Sequence, residues 1–253
     1  MTPFDRHNIS HLSASSLNLF VAQPSLWMAS YLLKRRTGVG PAAHRGTAIE
    51  CGVEAGLFDP HMPVAEAQKL AEAKFHTLTR FSADARIEKE RELVAPSVEV
   101  ALAELRQYGV PEKPENGRQH KIEVELGEGL PPAWGFLDFK FQDHGITVDL
   151  KTSSRVPSEI SVPHSRQGAI YWKHLGNHQI RFAYASGKRM AVYALEEPAI
   201  HFAECVKIAR AIERLLSLSD DGEKLTRALY PDATSFYWGD ASAQSLAREI
   251  WAD

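Results

Sequence analysis

The chain has 253 residues, 44% of them hydrophobic and 24% charged, enough apolar material for one folded core with an elaboration. Lys and Arg number 29 against 32 Asp and Glu, a net charge of −3, so no basic excess advertises nucleic-acid binding and such a role has to rest on local charge. Two cysteines far apart exclude a disulfide scaffold, the opening MTPFDRHNIS lacks a cationic-then-apolar leader, and no apolar run approaches the ~20 residues of a membrane span; a soluble cytoplasmic protein is expected.

Ser13 to Phe20 and Pro24 to Lys34 predict two short helices, the second opening on a proline suited to a first helical position. The basic run Lys34-Arg35-Arg36 leads into TGVGPAA, expected to be flexible, and Gly46 to Gly56 predicts a helix carrying Glu50. Val64 to Phe81 and Ile87 to Tyr108 predict longer amphipathic helices, and PEKPENGR, from Pro111 to Arg118, a polar linker. His120 to Leu126 predicts a first strand. The alternating segment AWGFLDFKF, Ala133 to Phe141, predicts a second, turned by QDHG into a third, ITVDLK, from Ile146 to Lys151. A helix around Ser165 to Leu175, strands Gln179 to Ala185 and Arg189 to Leu195, and helices Ala199 to Leu218 and Ala241 to Trp251 complete a mixed α/β order. The expected organisation is a helical region, residues 1–118, and a mixed region, residues 119–253, forming one compact unit.

Side chains two apart on a strand share a face, so Asp149 and Lys151 project together while Val148 and Leu150 face the other layer. Charges on one face of an apolar strand are costly without partners, and Asp138 on the neighbouring strand supplies a second carboxylate. Hard oxygen donors of this kind suit Mg²⁺ or Mn²⁺ rather than zinc. Gln167 and Tyr171 stand at i and i+4 on the following helix, hence on one face. The competing readings are a solvated ion pair for Asp149 and Lys151, a solvated helix residue for Glu50, with Glu54 one turn on, and simple packing for Gln167 and Tyr171.

Gly135-Phe136-Leu137-Asp138 followed by Asp149-Leu150-Lys151 resembles the GxxD and (D/E)xK motifs of the PD-(D/E)XK nuclease superfamily, and Gln167-Gly168-Ala169-Ile170-Tyr171 resembles the QxxxY motif of its RecB-like exonuclease branch. Arg45-Gly46-Thr47-Ala48-Ile49-Glu50 is similar to the branch's first helix, and the resemblance covers roughly Ser13 to Leu195. It implies a restriction-endonuclease-like core, a central mixed sheet flanked by helices, behind an N-terminal helical elaboration. It further implies a Mg²⁺- or Mn²⁺-dependent DNA exonuclease, with Glu50, Asp138, Asp149 and the Leu150 carbonyl as metal ligands, Lys151 beside the scissile phosphate, and Gln167 and Tyr171 in support. Glu50 stands where many members carry His. Relatives with an iron–sulfur cluster use four cysteines, whereas this chain has Cys51 and Cys205 alone, with Gln23-Pro24 where those relatives place Cys-Pro; no cluster is expected.

Arg36, Arg45, Arg155, Arg166 and Lys173 are candidate phosphate contacts, and Trp134 and Trp172 candidate stacking residues set against a core role. His174 and His178 have the spacing of a zinc pair, but Gly176-Asn177 between them should end the helix, so zinc is rejected. Glu123 and Glu125 are expected in solvent. No GxxxxGK[ST] loop or GxSxG elbow is present. Partners implied by the resemblance are linear DNA, single- or double-stranded, with a homo-oligomeric copy or a recombination partner protein, in repair, recombination or phage DNA processing; no membrane partner is expected. The alternative function is a non-catalytic nucleic-acid-binding or scaffold module on the same fold.

Overall fold

The computed structural model describes residues 1–114 and 119–252. An N-terminal arm contains α1 (Pro3–Arg6), the two-residue β1 (Leu12–Ser13), α2 (Ala14–Ala22) and α3 (Pro24–Trp27). Ser13 ends β1 and caps α2, its hydroxyl accepting from the Ser16 amide. Pro24 sits at the start of α3, which widens into a π-helical turn over Met28–Leu32.

Three longer helices follow, with one short turn between them. α4 (Pro41–Phe58) begins ahead of the expected Gly46 because Pro41 sets the first helical dihedral and has no amide proton to leave unsatisfied. After α5 (Val64–Thr79), the single helix expected over 87–108 is split into α6 (Ile87–Arg91) and α7 (Val94–Leu105). Pro96 explains the split. Inside a continuous helix its ring would strike the carbonyl of Glu92, so the helix restarts with Pro96 in its first turn. α4, α5 and α7 pack together through Val53, Leu57, Phe75, Val98 and Leu102.

The remaining elements are β2 (His120–Val124), β3 (Ala133–Leu137), β4 (Phe139–Phe141), β5 (Ile146–Thr152), α8 (Val162–Leu175), β6 (Gln179–Ala185), β7 (Met190–Ala194), α9 (Pro198–Leu216), α10 (Gly222–Arg227) and α11 (Ala241–Trp251). The strand expected over 133–141 breaks at Asp138, and the one central sheet expected becomes two mixed sheets. β3 lies in a three-stranded sheet of order β1-β3-β2, parallel to β1 and antiparallel to β2. β4 begins a four-stranded sheet of order β4-β5-β6-β7, in which only β5 and β6 run parallel, joined by α8 as crossover.

The four-stranded sheet is covered on both faces. Val148, Leu150, Ala183 and Ala185 pack with the α4–α5–α7 group, whereas Phe182 and Tyr184 belong to the core shared with the arm, α8 and α9. The expected boundary at residue 118 and the end of the linker expected over 111–118 lie outside the described residues, but both cores mix the two halves: Leu17 and Trp27 join Leu137 and Tyr171, and Ile49 joins Val148. The tail folds back on the arm, Trp238 and Ala243 against Leu26. Among the described residues no helix is long and apolar enough to cross a membrane.

Helices α4 and α5 approach closely at Gly52, where an added Cβ would lie 2.6 Å from the Ala67 carbonyl oxygen and 2.9 Å from the Ala71 Cβ. Gly52→Ala is therefore expected to lower the unfolding free energy in urea by about 1–3 kcal/mol. At Gly46 the nearest atom is 3.5 Å from such a Cβ, so Gly46→Ala should leave stability level or raise it by up to ~1 kcal/mol.

Candidate active site

Asp138 occupies the break between β3 and β4, and its Oδ2 accepts a hydrogen bond from the Leu150 amide at 2.9 Å. Asp149, 1% exposed, points from β5 toward α8. Its Oδ1 accepts from Gln167 Nε2 at 3.1 Å, and its Oδ2 lies 2.5 Å from Lys151 Nζ. Such burial excludes a solvated surface pair. The Tyr171 hydroxyl accepts from Gln167 Nε2 at 2.6 Å and donates to the Phe136 carbonyl at 2.8 Å, with Asp149 Oδ1 3.2 Å away. Gln167 and Tyr171 thus bind α8 to both sheets.

The glycines in these motifs have a steric reason. A Cβ at Gly135 would stand 2.9 Å from Tyr171 Cε1 and 3.1 Å from Ile122 Cγ1. At Gly168 it would meet Phe182 at 2.8 Å and Leu195 at 2.9 Å, so α8 lies against β6 only because that side chain is missing.

Glu50, from α4, reaches the same cleft of about 750 Å³, which is also lined by Asp138, Asp149, Leu150, Lys151, Gln167 and Tyr171. One residue that the sequence did not single out completes it. Gln119 Nε2 lies 2.5 Å from Glu50 Oε1 and 3.3 Å from Asp138 Oδ1, a single amide spanning two carboxylates. No spacing or period marks Gln119; only the fold brings it there. Among the described residues no three His, Cys, Asp or Glu side chains are gathered tightly enough to hold a metal as they stand, Glu50 and Asp138 being turned to Gln119 and Asp149 to Lys151.

The electrostatics reflect crowded acids. Burial, then the charges of Asp149 and Glu50, push the Asp138 carboxyl well above its ordinary range. Burial also raises Glu50, with Asp149 and Glu54 adding to it and the Gln119 hydrogen bond opposing. At Lys151 burial pulls down, but Asp149 and Asp138 outweigh it and the ammonium is held above its usual value. His164, whose Nδ1 is 2.7 Å from the Tyr184 hydroxyl, is pushed down to about 4 by burial and by Lys151.

The candidate phosphate contacts separate. Arg36 lines the cleft with its guanidinium 5.5 Å from the centre of the Tyr31 ring. Arg45 is buried, pairs with Glu90 and donates to the Thr152 carbonyl at 3.2 Å; it ties α4 to α6 and the end of β5 and does not face a ligand. Arg166 is held between Glu204 and Asn18, each at 3.3 Å, bridging α8 to α9 and α2. Lys173 lies over Phe202 at 5.6 Å, and Arg155 lines a separate cavity of about 400 Å³ with Lys188 and Arg189. Trp134 lines the cleft, whereas Trp172 packs on the core. Glu123 and Glu125 are exposed. α8 ends before Gly176 at φ 66°, and His174 and His178 turn to the Glu123 carbonyl and to Thr147 respectively. Cys51 and Cys205 are free, on α4 and α9.

No family model matches the chain, and no curated protein matches it. Among solved structures it is similar to one described as the crystal structure of SSO0001, at 16% identity over 79% of this chain and 93% of that one, with a TM-score of 0.41. A likeness of that size carries no argument about fold or activity.

Glu50 and Asp138 hold their protons to higher pH in the folded chain than in the unfolded one, where carboxyls titrate near ~4. The folded state therefore binds more protons above that point, and their contribution to metal-free stability is lost as pH rises through the folded values. Asp138→Asn should accordingly melt higher than the parent at pH ~8 in chelator, with the difference shrinking toward pH ~4.5. A constant or reversed difference in thermal scans would contradict the crowding of acids at this site.

Proposed function

We propose that the chain is a divalent-metal-dependent DNA nuclease of the RecB-like type, most simply an exonuclease, built on a restriction-endonuclease-like core. The observation that carries this reading is the convergence of Asp138, from the break between β3 and β4, and Asp149, from β5, with Glu50 and Lys151 on the floor of one cleft. Three carboxylates, two of them held protonated above their ordinary range, form an oxygen-donor set that a hard cation would relieve, and in this sense the residues fit Mg²⁺ or Mn²⁺. Glu50, Asp138, Asp149 and the Leu150 carbonyl would hold the ion. When bound, a divalent ion lowers the pKa of a water and offsets charge on the leaving oxygen.

The protein's own groups do the rest. Lys151, held cationic by its two acidic neighbours, supplies positive charge where the phosphate gains negative charge, and its raised pKa argues against its acting as the base. Gln167 fixes the Asp149 carboxylate through Oδ1, and Tyr171 anchors Gln167 to the Phe136 backbone, so both are positioning residues. Of the five predicted basic residues, Arg36 is the one that lines this cleft, where a phosphate would enter.

The test is incubation with Mg²⁺ or Mn²⁺ and end-labelled linear or circular DNA, single- and double-stranded. Linear substrate should be degraded from its ends and circular substrate spared. Asp149→Ala and Lys151→Ala should each lower kcat by at least about 100-fold, with folding checked by circular dichroism. Parent-like turnover in both variants would sink the assignment, and DNA binding without any metal-dependent cleavage would point to a scaffold module.

A further inference from the structure

The three-stranded sheet has an outer face that the proposed chemistry leaves unused. Its pleat sends Leu12, Ile122, Val124, Ala133 and Leu137 into the core. The register sets Trp134 across from Ser13 and Glu123, and Phe136 across from Lys121, on the opposite face. There His11, one residue before β1, lies flat on Trp134, with ring centres 3.7 Å apart and planes within 9°. Lys121 Nζ stands 3.2 Å from the centre of the same Trp134 ring. Groups that close cannot share one ring face, so Trp134 is sandwiched and its faces are closed.

On this face His11 is partly exposed and Phe136 is 48% exposed. His11, Phe136 and Arg36 line the same cleft as Asp138, Asp149 and Lys151. Ser10 Oγ, 3.1 Å from His11 Nδ1, holds the imidazole in orientation. Burial and the nearby charges of Lys121, Lys34 and Arg36 keep His11 below its ordinary pKa, with Glu123 opposing, so the ring is neutral at neutral pH and its surroundings attract anions. Unpaired bases require this combination, a flat ring to stack on and cations beside it for the phosphates. Bases inside a duplex have no free face to offer.

We propose that the outer face of the β1–β3–β2 sheet is a stacking ledge for unpaired nucleobases, with His11 and Phe136 as the contact rings, and that the substrate enters the carboxylate cleft as a single strand. The inference rests on the nuclease reading of that cleft.

The test is fluorescence anisotropy with a short labelled oligothymidylate, its abasic counterpart of equal length and a blunt duplex, with Ca²⁺ in place of Mg²⁺. The base-bearing strand should bind roughly tenfold more tightly than the abasic one or the duplex. His11→Ala and Phe136→Ala should each weaken the base-bearing strand about five- to tenfold and leave the abasic strand unchanged, while His11→Phe retains parent affinity. Phe136 lies outside the core, so its truncation tests the ledge without threatening the fold. Equal affinity for base-bearing and abasic strands, or parent affinity in both alanine variants, overturns the ledge and leaves the nuclease reading standing. Failure of all three nucleic acids to bind overturns both.

Discussion

A carboxylate with almost no access to solvent sits in the middle of an apolar strand, and much of the surrounding architecture serves to partner it. Asp149 lies between Val148 and Leu150, both in the core, where an unpartnered charge would be strongly destabilising. Lys151, two residues on and on the same face, supplies the opposite charge, and Gln167 supplies a hydrogen bond from α8. That bond is available only if α8 lies directly against the sheet, which the bare backbone of Gly168 allows. Tyr171 in turn reaches the Phe136 carbonyl only across the space left by Gly135. The two glycines and the four polar side chains are one packing solution, because a Cβ at Gly135 would crowd the Tyr171 ring and one at Gly168 would crowd Phe182 and Leu195 beneath the helix that satisfies the acid.

The break at Asp138 is the second consequence of placing acids inside a sheet. Continuing β3 straight into β4 would leave its carboxylate beside Asp149 with no donor of its own. Interrupting the strand lets the side chain accept the Leu150 amide, so a carboxylate oxygen takes a hydrogen bond inside the sheet region. The same interruption separates the two sheets, and the cleft, lined by β3 on one side and β5 on the other, opens where they part.

This division also explains what could be read from the residues alone. Asp149 with Lys151, and Gln167 with Tyr171, obey the two local periods, so their common faces are legible in the sequence. Asp138 is legible as an acid on the strand next to Asp149, whereas Glu50 is picked out only by the resemblance of its helix to the family's first helix. The split at Asp138 is not legible, because AWGFLDFKF alternates through it and only the competing pairings with β2 and β5 decide the matter. Pro96 did announce the gap between α6 and α7, but the apolar stripe masked it. Arg36 and Arg45 look alike in sequence; Glu90, far along the chain, takes Arg45 out of the cleft. Gln119 and the two-residue β1 carry no periodic signal, since each owes its place to partners remote in sequence.

Charge within the cleft is segregated in a way that the overall balance of the chain conceals. Its floor holds three carboxylates against the single ammonium of Lys151, while Arg36 stands on the wall and Lys121 and Lys34 act on His11 beside it. An anionic phosphate approaching such a floor is repelled for as long as the acids are ionised and uncompensated. On the proposed reading, the cationic wall raises the local concentration of a nucleic acid end, and a divalent ion on the floor reverses the sign that the end then meets. The two charge regions therefore act in series, and removing cations from the wall should slow capture without altering the chemistry on the floor.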